Sequence, residues 1–226
     1  MTYPTYGASD HYLGRKGQEY FSWQGRLGSV NGLINAHKLR RLVRPSDIVV
    51  DFGCGGGDLL RALECSGRIG VEINPIARQH ASGMGIDCYA DLAKIPDEVA
   101  DVVISNHALE HIPCPIEALR QLRCKLKPDG ILALSVPIDD WRSQRSYDPD
   151  DRNHHLYTWT AQLLGNLLQE AGFFVQARDI SVRTHAWPRY YPLLYTRLPL
   201  RWFNAVCTIW AMVTRRRQLF AVARRV

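Results

Sequence analysis

The fold of this chain is decided by one stretch, VVDFGCGGGDLL at residues 49–60. A short β-branched segment runs into a cluster of glycines and leaves it as a helical segment. Glycines at such a turn let the backbone approach a ligand at a point where side chains would block it. The stretch therefore predicts a strand, a ligand-binding loop and a helix, in that order.

A carboxylate further along the chain indicates what kind of ligand the loop binds. Glu72 stands nineteen residues after Gly53, at the end of the predicted second strand. A carboxylate there accepts hydrogen bonds from both hydroxyls of a ribose. The dinucleotide fingerprint G-x-G-x-x-G is not matched, because Gly53, Gly55 and Gly57 give G-x-G-x-G and Asp58 follows. The P-loop ending Gly-Lys-Ser/Thr is also absent.

Segments with strand-like and helical spacing alternate along most of the 226 residues, which favours an α/β fold over an all-β fold. The strand segments ADVVIS at 100–105 and GILALSV at 130–136 are apolar on both faces. Strands of that kind lie in parallel sheets that helices cover on both sides. We therefore expect one α/β domain with elaborations.

Five motifs, in the same order along the chain, resemble those of class I S-adenosylmethionine-dependent methyltransferases, above all their small-molecule members. The glycine loop is similar to their D-x-G-x-G-x-G, and the other four are GVEI at 70–73, ADL at 90–92, DVVISNHALEH at 101–111 and LKPDGIL at 126–132. The resemblance covers roughly residues 46–182. It implies a Rossmann-like, doubly wound, seven-stranded and mostly parallel sheet with helices on both faces and an antiparallel last strand. It also implies S-adenosylmethionine as the cofactor.

The resemblance also implies which residues bind the cofactor. Asp51 is expected near the methionine ammonium, Glu72 at the ribose, and Asp91 with Leu92 at the adenine. The complete expected set is Asp51, Gly53, Cys54, Gly55, Gly57, Glu72, Ile73, Asp91, Leu92, Asn106 and His107. We interpret Cys54 as a small loop residue instead of a nucleophile, because no base lies beside it in the sequence.

The domain boundary is predicted near residue 45. Residues 1–30 are rich in aromatic residues and glycines without a clear period, which predicts an irregular lead-in, and Asn31 to Val43 has helical spacing. We expect residues 1–45 to form an N-terminal lead-in and helix that cover the cofactor site. Residues 46–226 are then the methyltransferase domain, with an aromatic and basic insertion at about 183–215.

Candidate catalytic residues follow the predicted fourth and fifth strands. Methyl transfer to a hydroxyl needs a group that takes its proton, and His is the side chain best suited to that near neutral pH. His111 ends the fourth-strand motif, and NHHLYTW at 153–159 follows the fifth strand. The carboxyl edge of an open α/β sheet is where ligands bind. We therefore predict His111, His155 and Tyr157 as catalytic residues.

Two other interpretations of NHHLYTW stay open. A metal that assists catechol-type chemistry could be held by Asp148, Asp150, Asp151, His154 and His155, although we assign no metal site. Alternatively, Thr158 or Thr160 caps the next helix and the histidines only pack there.

Cysteine usage and the N-terminus indicate a cytoplasmic protein. The six cysteines are scattered, with no C-x-x-C pair and no zinc-like spacing, which is typical of a reduced compartment. The first six residues are polar and aromatic, so we expect no secretory signal.

The basic charge is concentrated at the C-terminal end. Residues 183–226 contain nine arginines, no lysine and no acidic residue, whereas the first 182 residues carry 19 basic and 22 acidic side chains. A basic segment favours an anionic partner. Residues 199–213 are apolar at helical spacing but fall short of the ~20 residues that cross a bilayer. We expect peripheral contact of 199–217 with the inner membrane face, or a helix packed on the domain.

These features together predict O-methylation of a small-molecule, sugar or lipid-linked glycan acceptor that carries anionic groups. RNA is the competing anionic acceptor. Nucleic acid is not expected, since there is no added RNA-binding domain and Asn106 is followed by His-Ala-Leu, unlike the Asn-Pro-Pro-Tyr of base methylation. A protein that binds S-adenosylmethionine without turnover is the other alternative.

Overall fold

The computed structural model describes residues 6–7, 9–25, 28–138, 146–185 and 197–226. Its centre is one eight-stranded sheet. The strands are β1 Ile48–Phe52, β2 Gly67–Val71, β3 Asp87–Tyr89, β4 Ala100–Asn106, β5 Leu126–Ile138, β6 Phe173–Phe174, β7 Ile180–Thr184 and β8 Arg217–Arg225.

The strand order is β3-β2-β1-β4-β5-β8-β6, with β7 also paired to β8. Strands β1 to β5 pair in parallel, and β8 runs antiparallel to β5, β6 and β7. β6 and β7 pair with successive parts of β8, since Phe173 lies opposite Arg225 and Thr184 lies opposite Arg217. The eight strands thus fill seven positions. The predicted fold class, including the antiparallel last strand, is confirmed.

Seven α-helices lie within the described ranges: α1 Gly14–Gly25, α2 Gly28–Leu39, α3 Asp58–Arg61, α4 Pro75–Gly83, α5 Pro115–Lys125, α6 Ala161–Glu170 and α7 Leu200–Val213. Their ends follow local chemistry. α4 has a proline in its first turn, and the Asn74 side chain accepts from the Ile76 and Ala77 amides, which satisfies two otherwise unpaired donors. Gly172, which follows the C-cap Ala171 of α6, has a φ of 85°, the left-handed conformation that commonly ends a helix.

The hydrophobic core lies on both faces of the sheet because successive side chains of a strand point to opposite sides. Val50 and Val103 belong to a buried cluster that contains residues of α5 and α6. Their neighbours Val49 and Val102 belong to a second cluster with residues of α2, α3 and α4. The sheet is therefore covered by helices on both faces.

The interpretation of residues 1–30 as irregular was wrong for residues 14–25, which form α1. α1 lacks an apolar period because it packs through a glycine. A side chain at Gly17 would collide with the carbonyl oxygen of Tyr12, and the Gly17 carbonyl accepts a 2.7 Å hydrogen bond from Asn74 Nδ2. Helix α1 is thus attached in part by backbone contacts at Gly17, which an apolar pattern does not reveal.

Helix α7 has one buried and one exposed apolar face. Phe203 and Cys207 are buried and form a small cluster with Val30 and Ile34 of α2. The exposed apolar side chains, each at least 37% exposed, are Leu200, Trp202, Val206, Ile209, Trp210, Met212 and Val213. In the described ranges, no helix has the length and apolarity needed to cross a membrane. Residues 186–196 of the predicted insertion lie outside the described residues.

Candidate active site

A cavity of about 2740 Å³ lies at the carboxyl edge of the parallel strands. Residues 51–56 and 72–74, at the ends of β1 and β2, line one part of it, and we call them the glycine-loop wall. Residues 9–12, 106–108, 110–111 and 152–156 line another part, and we call them the histidine wall. Much of α1 also lines the cavity.

Backbone hydrogen bonds to β2 shape the glycine loop. The amides of Gly53 and Cys54 donate to the Val71 carbonyl over 2.8 and 3.1 Å. The Gly55 amide donates to Glu72 Oε2 over 2.9 Å. Gly53 and Gly55 have φ angles of 77° and 54°, which glycine adopts without the steric penalty of other residues. Strand β2 therefore holds the loop open with its backbone facing the cavity.

Two carboxylates stand on the glycine-loop wall. Glu72 also accepts from the Asn74 amide over 2.8 Å, so its carboxylate is fixed, and each oxygen retains capacity for a further hydrogen bond. Asp51 is buried, and its Oδ1 has no hydrogen-bond partner among the described residues. Burial, followed by the charge of Glu72, raises the pKa of Asp51 to about 8. An unpaired buried carboxyl beside a fixed carboxylate fits a ligand with a cationic group and vicinal hydroxyls.

Most of the predicted cofactor residues line this cavity. They are Asp51, Gly53, Cys54, Gly55, Glu72, Ile73, Asn106 and His107. The other three predicted residues are not among the described residues that line the cavity. Gly57 precedes α3, Leu92 is fully buried, and Asp91 Oδ1 accepts from the Ala93 amide over 3.0 Å. Ala90 lines the cavity in their place, so the adenine contacts of Asp91 and Leu92 stay a prediction.

The Cys54 thiol lies against a second thiol. Its Sγ is 3.5 Å from Cys88 Sγ, and a side chain at Gly70 would collide with both sulfurs. The hydrogen bond with Cys88, then burial, raises the pKa of Cys54 well above its ordinary value. Cys54 is thus a neutral thiol at physiological pH, and the geometry agrees with our interpretation of it as a loop residue.

Four titratable side chains converge on the histidine wall. Glu110 is fully buried, and its Oε1 lies 3.3 Å from His107 Nδ1 and 3.9 Å from His111 Nε2. The His111 and His155 rings are 5.0 Å apart. The Leu156 amide donates to the Glu110 carbonyl over 2.9 Å, which attaches the loop carrying His155 to the turn carrying His111. The structure therefore brings both predicted catalytic histidines together.

The charges in this cluster are set by burial and by the neighbouring groups. Burial raises the pKa of Glu110, but His107, His111 and His155 together outweigh it and hold that pKa below its ordinary value. Burial is also the largest influence on His111, where it lowers the pKa to about 4 against the opposing attraction of Glu110. At neutral pH Glu110 is ionised and His111 is neutral, so one ring nitrogen of His111 can accept a proton.

The same cluster has the chemistry of a metal site. Glu110, His111 and His155 each offer one ligand atom, and these atoms lie within 4.8 Å of one another. Neither carboxylate oxygen of Glu110 has a hydrogen-bond partner in the described part of the chain. Neutral imidazoles with a carboxylate suit a divalent transition metal. The donor set therefore fits both a proton acceptor and a metal.

The carboxylates of Asp148 and Asp151, from the alternative metal set, accept hydrogen bonds from backbone amides. Asp151 Oδ1 and Oδ2 accept from the Asn153 and His154 amides, over 3.1 and 2.9 Å. Asp148 Oδ1 accepts from the Asp150 amide over 3.0 Å. These carboxylates hold the turn of residues 148–154, and the ligand geometry lies at Glu110 instead.

Some residues of the stretch NHHLYTW line the cavity, and others pack beside it or in the core. His154 and His155 line the cavity, whereas Tyr157 does not line the described wall. The Tyr157 hydroxyl donates to the Pro113 carbonyl over 2.7 Å, and Trp159 is buried in the core. Thr160 caps α6 by accepting from the Leu163 amide over 3.1 Å. The structure thus places Tyr157 beside the site, and its catalytic role stays a prediction that this geometry does not favour.

Two residues of the histidine wall escaped the sequence interpretation. Glu110 belongs to the Leu-Glu-His motif, so its position between histidines was available as a signal. No sequence signal indicated Tyr12. Its hydroxyl lies 2.6 Å from His111 Nδ1, but 99 positions separate the two residues.

A family model described as "Methyltransferase domain" matches residues 31–177. That match covers more than half of the chain, and the chain belongs to this family. Methyltransferases of this family and fold use S-adenosylmethionine as the methyl donor.

The relatives with shared sequence include O-methyltransferases. The chain is 35% identical over 104 residues to a ubiquinone biosynthesis O-methyltransferase of Haemophilus ducreyi, covering 39% of this chain and 44% of that protein. It is 34% identical over 125 residues to a protein of the same name from Xanthomonas campestris, covering 50% and 52%. The chain spans about half the length of these curated relatives.

Solved structures share the fold at low identity. A methyltransferase of Thermotoga maritima, described as a possible histamine N-methyltransferase, has a TM-score of 0.64 and 16% identity, covering 94% of this chain and 97% of that chain. The [4+2]-cyclase SpnF has a TM-score of 0.62 and 18% identity, covering 92% and 95%. Because a cyclase and a methyltransferase share this fold, the fold alone does not determine the reaction.

Proposed function

We propose that this methyltransferase transfers the methyl group to a hydroxyl of a small-molecule acceptor, and that the histidine wall takes the hydroxyl proton. The observation that carries the proposal is the buried Glu110 carboxylate, which faces His107, His111 and His155 beside the glycine loop. The O-methyltransferase names of the sequence relatives support a hydroxyl acceptor.

The glycine-loop wall would hold the methyl donor. Asp51 offers its unpaired carboxyl oxygen to the ammonium group, and Glu72 offers its fixed carboxylate to the ribose hydroxyls. Bound S-adenosylmethionine supplies an electrophilic methyl group on a sulfonium centre. The transfer is an in-line displacement, so the chain contributes mainly by aligning the acceptor oxygen with that methyl group. In this proposal α1 and residues 9–12 cover the site.

The proton of the acceptor moves to His111. A neutral imidazole can take it, and the ionised Glu110 carboxylate, 3.9 Å from His111 Nε2, then stabilises the imidazolium that forms. The low pKa of His111, about 4, makes it a weak base. It is therefore suited to an acidic hydroxyl, such as a phenol or catechol, better than to an aliphatic one.

A metal-assisted transfer is the second candidate, favoured by the ligand geometry of Glu110, His111 and His155. In that case these residues would hold a divalent cation, which would lower the pKa of a catechol hydroxyl. The two candidates differ in one respect that can be measured. Chelation abolishes metal-assisted methyl transfer. It leaves methyl transfer unchanged if a histidine takes the hydroxyl proton.

The acceptor class includes lipid-linked and anionic molecules in this proposal. The exposed apolar face of α7 carries two tryptophans, Trp202 and Trp210, and the surrounding residues 183–226 contain nine arginines and no acidic residue. An amphipathic helix of that composition suits an anionic membrane surface. Contact of residues 199–217 with such a surface would bring the cavity close to a lipid-linked acceptor.

The test is a methyl-transfer assay with labelled S-adenosylmethionine and calorimetry with the same donor. Acceptors are a set of phenols and catechols, a set of sugar phosphates and lipid-linked sugars, and RNA, each with and without chelator. Transfer to oxygen of a small molecule supports the proposal. Transfer to RNA, or donor binding without transfer to any acceptor, would support the alternative functions.

A further inference from the structure

The hydroxyl of Tyr12 makes two short contacts on the histidine wall. It lies 2.6 Å from His111 Nδ1 and 2.6 Å from the Asn153 carbonyl oxygen. Tyr12 itself is buried, and it precedes α1 in the N-terminal segment. The contact therefore connects three parts of the chain that are far apart in sequence: the N-terminal segment, the turn after β4 and the loop after β5.

The number of hydrogens decides how these contacts are made. A phenol has one hydrogen to donate, and a carbonyl oxygen can only accept. The hydroxyl of Tyr12 must therefore donate to the Asn153 carbonyl, since two oxygens at 2.6 Å without a hydrogen between them would repel each other. The contact to His111 is then a hydrogen bond only if Nδ1 carries a hydrogen and donates it to the phenol oxygen.

We propose that Tyr12 is a positioning residue that fixes His111 in the tautomer protonated at Nδ1, so that the lone pair of the ring lies on Nε2. Nε2 is the nitrogen that lies 3.9 Å from Glu110 Oε1. The proposal rests on the proposed function, because His111 Nε2 is then the atom that takes the proton of the acceptor.

Tyr12 acts against Glu110, which favours the opposite tautomer, and the His154 backbone also hydrogen-bonds the His111 ring. A carboxylate attracts a hydrogen, so Glu110 alone would place the ring hydrogen on Nε2, facing its own Oε1. With the hydrogen on Nε2, that nitrogen would have no lone pair with which to accept a proton.

The tautomer can be measured without any acceptor. In nitrogen-15 NMR spectra of a neutral imidazole, the ring nitrogen without hydrogen resonates far downfield of the one with hydrogen. The protein is labelled at its eight histidines, and the signals of His111 are identified by their loss in His111→Gln. In the wild type we expect Nε2 without hydrogen and Nδ1 with hydrogen. The reverse assignment in the wild type overturns the proposal, whether or not Tyr12→Phe folds.

The variant is Tyr12→Phe, which removes the hydroxyl and keeps the ring. We expect the His111 hydrogen to move to Nε2, and kcat to fall about 10- to 10²-fold at unchanged affinity for S-adenosylmethionine. The matched control is Tyr20→Phe, because Tyr20 packs against Tyr12 at 5.0 Å between ring centres while its hydroxyl accepts from Gln24. That control should leave the His111 signals unchanged.

The outcomes separate this proposal from the proposed function. An unchanged His111 tautomer in folded Tyr12→Phe overturns the role of Tyr12. A reversed tautomer with unchanged kcat supports the role of Tyr12 and overturns His111 as the proton acceptor. A reversed tautomer with lowered kcat supports both.

Discussion

The two walls of the cavity are built in different ways. The glycine-loop wall comes from adjacent strands, and its contacts are short-range in sequence: Gly55 and Glu72, joined by a hydrogen bond, are 17 positions apart. On the histidine wall, Tyr12 reaches His111 across 99 positions and Asn153 across 141. The first wall is therefore determined by motif spacing, and the second by tertiary packing. This difference agrees with the proposal that the first wall serves the methyl donor and that the second wall, apart from Asn106 and His107, serves the acceptor.

The largest expected effect tests the histidine wall. Replacing His111 with glutamine removes the proposed acceptor of the hydroxyl proton, so kcat should fall about 10²–10⁴-fold. Affinity for S-adenosylmethionine, measured by calorimetry, should stay at the wild-type value, because His111 is not among the residues expected to hold that ligand. The control is His37→Gln, since His37 is exposed on α2. Wild-type turnover of a reactive acceptor by folded His111→Gln would remove His111 from the mechanism.

The second effect tests the glycine-loop wall. Glu72→Ala should weaken binding of S-adenosylmethionine by about 1–3 kcal/mol, because charge-assisted hydrogen bonds to the ribose are lost. Turnover at saturating donor should change far less than in His111→Gln. Glu64→Ala serves as control, since Glu64 is an exposed carboxylate. If calorimetry gives the same affinity for folded Glu72→Ala and wild type, the proposed division of labour between the walls is wrong.

The contrast between the walls also explains what could be predicted from sequence. The strand segments, the glycine loop and the position of Glu72 follow from hydrophobic spacing and motif spacing, which act over short stretches of chain. The doubly wound sheet, its antiparallel last strand and the role of Asp51 were implied by the resemblance to the methyltransferase family. The spacing of apolar residues did not predict helix α1, because Gly17 of that helix packs through its backbone. Tyr12 could not be predicted as a partner of His111, since no local pattern connects residues 99 positions apart.

Tyr157 and His155 illustrate the same limit within a single stretch. Both were predicted from NHHLYTW as catalytic residues, and the sequence offered no means of separating them. The structure places the Tyr157 hydroxyl on the Pro113 carbonyl and brings the His155 ring to 5.0 Å from His111. Side-chain direction in an irregular loop depends on distant packing, so residue type and spacing were insufficient there.

A third, smaller effect concerns pH on the glycine-loop wall. The pKa of Asp51 is about 8 in the free protein, so Asp51 is largely protonated at pH 7. A bound ammonium favours the carboxylate and lowers this pKa, which means that binding releases a proton below pH 8. Affinity for S-adenosylmethionine should therefore rise with pH by up to about tenfold per unit, and level off above pH 8.

Proton release is measured by calorimetry in two buffers that differ in ionisation enthalpy. Asp51→Asn should bind more weakly at pH 8 and lose the dependence, since an amide does not ionise in this range. A wild-type affinity that is constant from pH 6 to pH 8 would contradict the assignment of Asp51 to the ammonium group. It would leave the predictions for the histidine wall untouched.

The smallest expected effect lies outside both walls, on the exposed face of α7. Trp202 and Trp210 are 57% and 49% exposed, whereas Phe203 is fully buried on the other face. Replacing both tryptophans with alanine should change the free energy of unfolding by less than about 0.5 kcal/mol per site, and Phe203→Ala should cost about 3–5 kcal/mol. Thermal or denaturant unfolding of the two variants therefore separates the exposed face from the packed face before any membrane is added.

Vesicle flotation then tests what the exposed face of α7 contacts. We expect the wild type to float with anionic vesicles, and salt to weaken the binding, because each arginine near an anionic surface contributes about 1 kcal/mol and that attraction is screened. The double tryptophan variant should bind less at every salt concentration, since the apolar contribution does not depend on screening. Equal flotation of variant and wild type would leave only the arginines as the membrane contact. Absence of wild-type flotation with both anionic and neutral vesicles would exclude a membrane-bound acceptor as the reason for this surface, and the histidine wall would then serve an acceptor that arrives from solution.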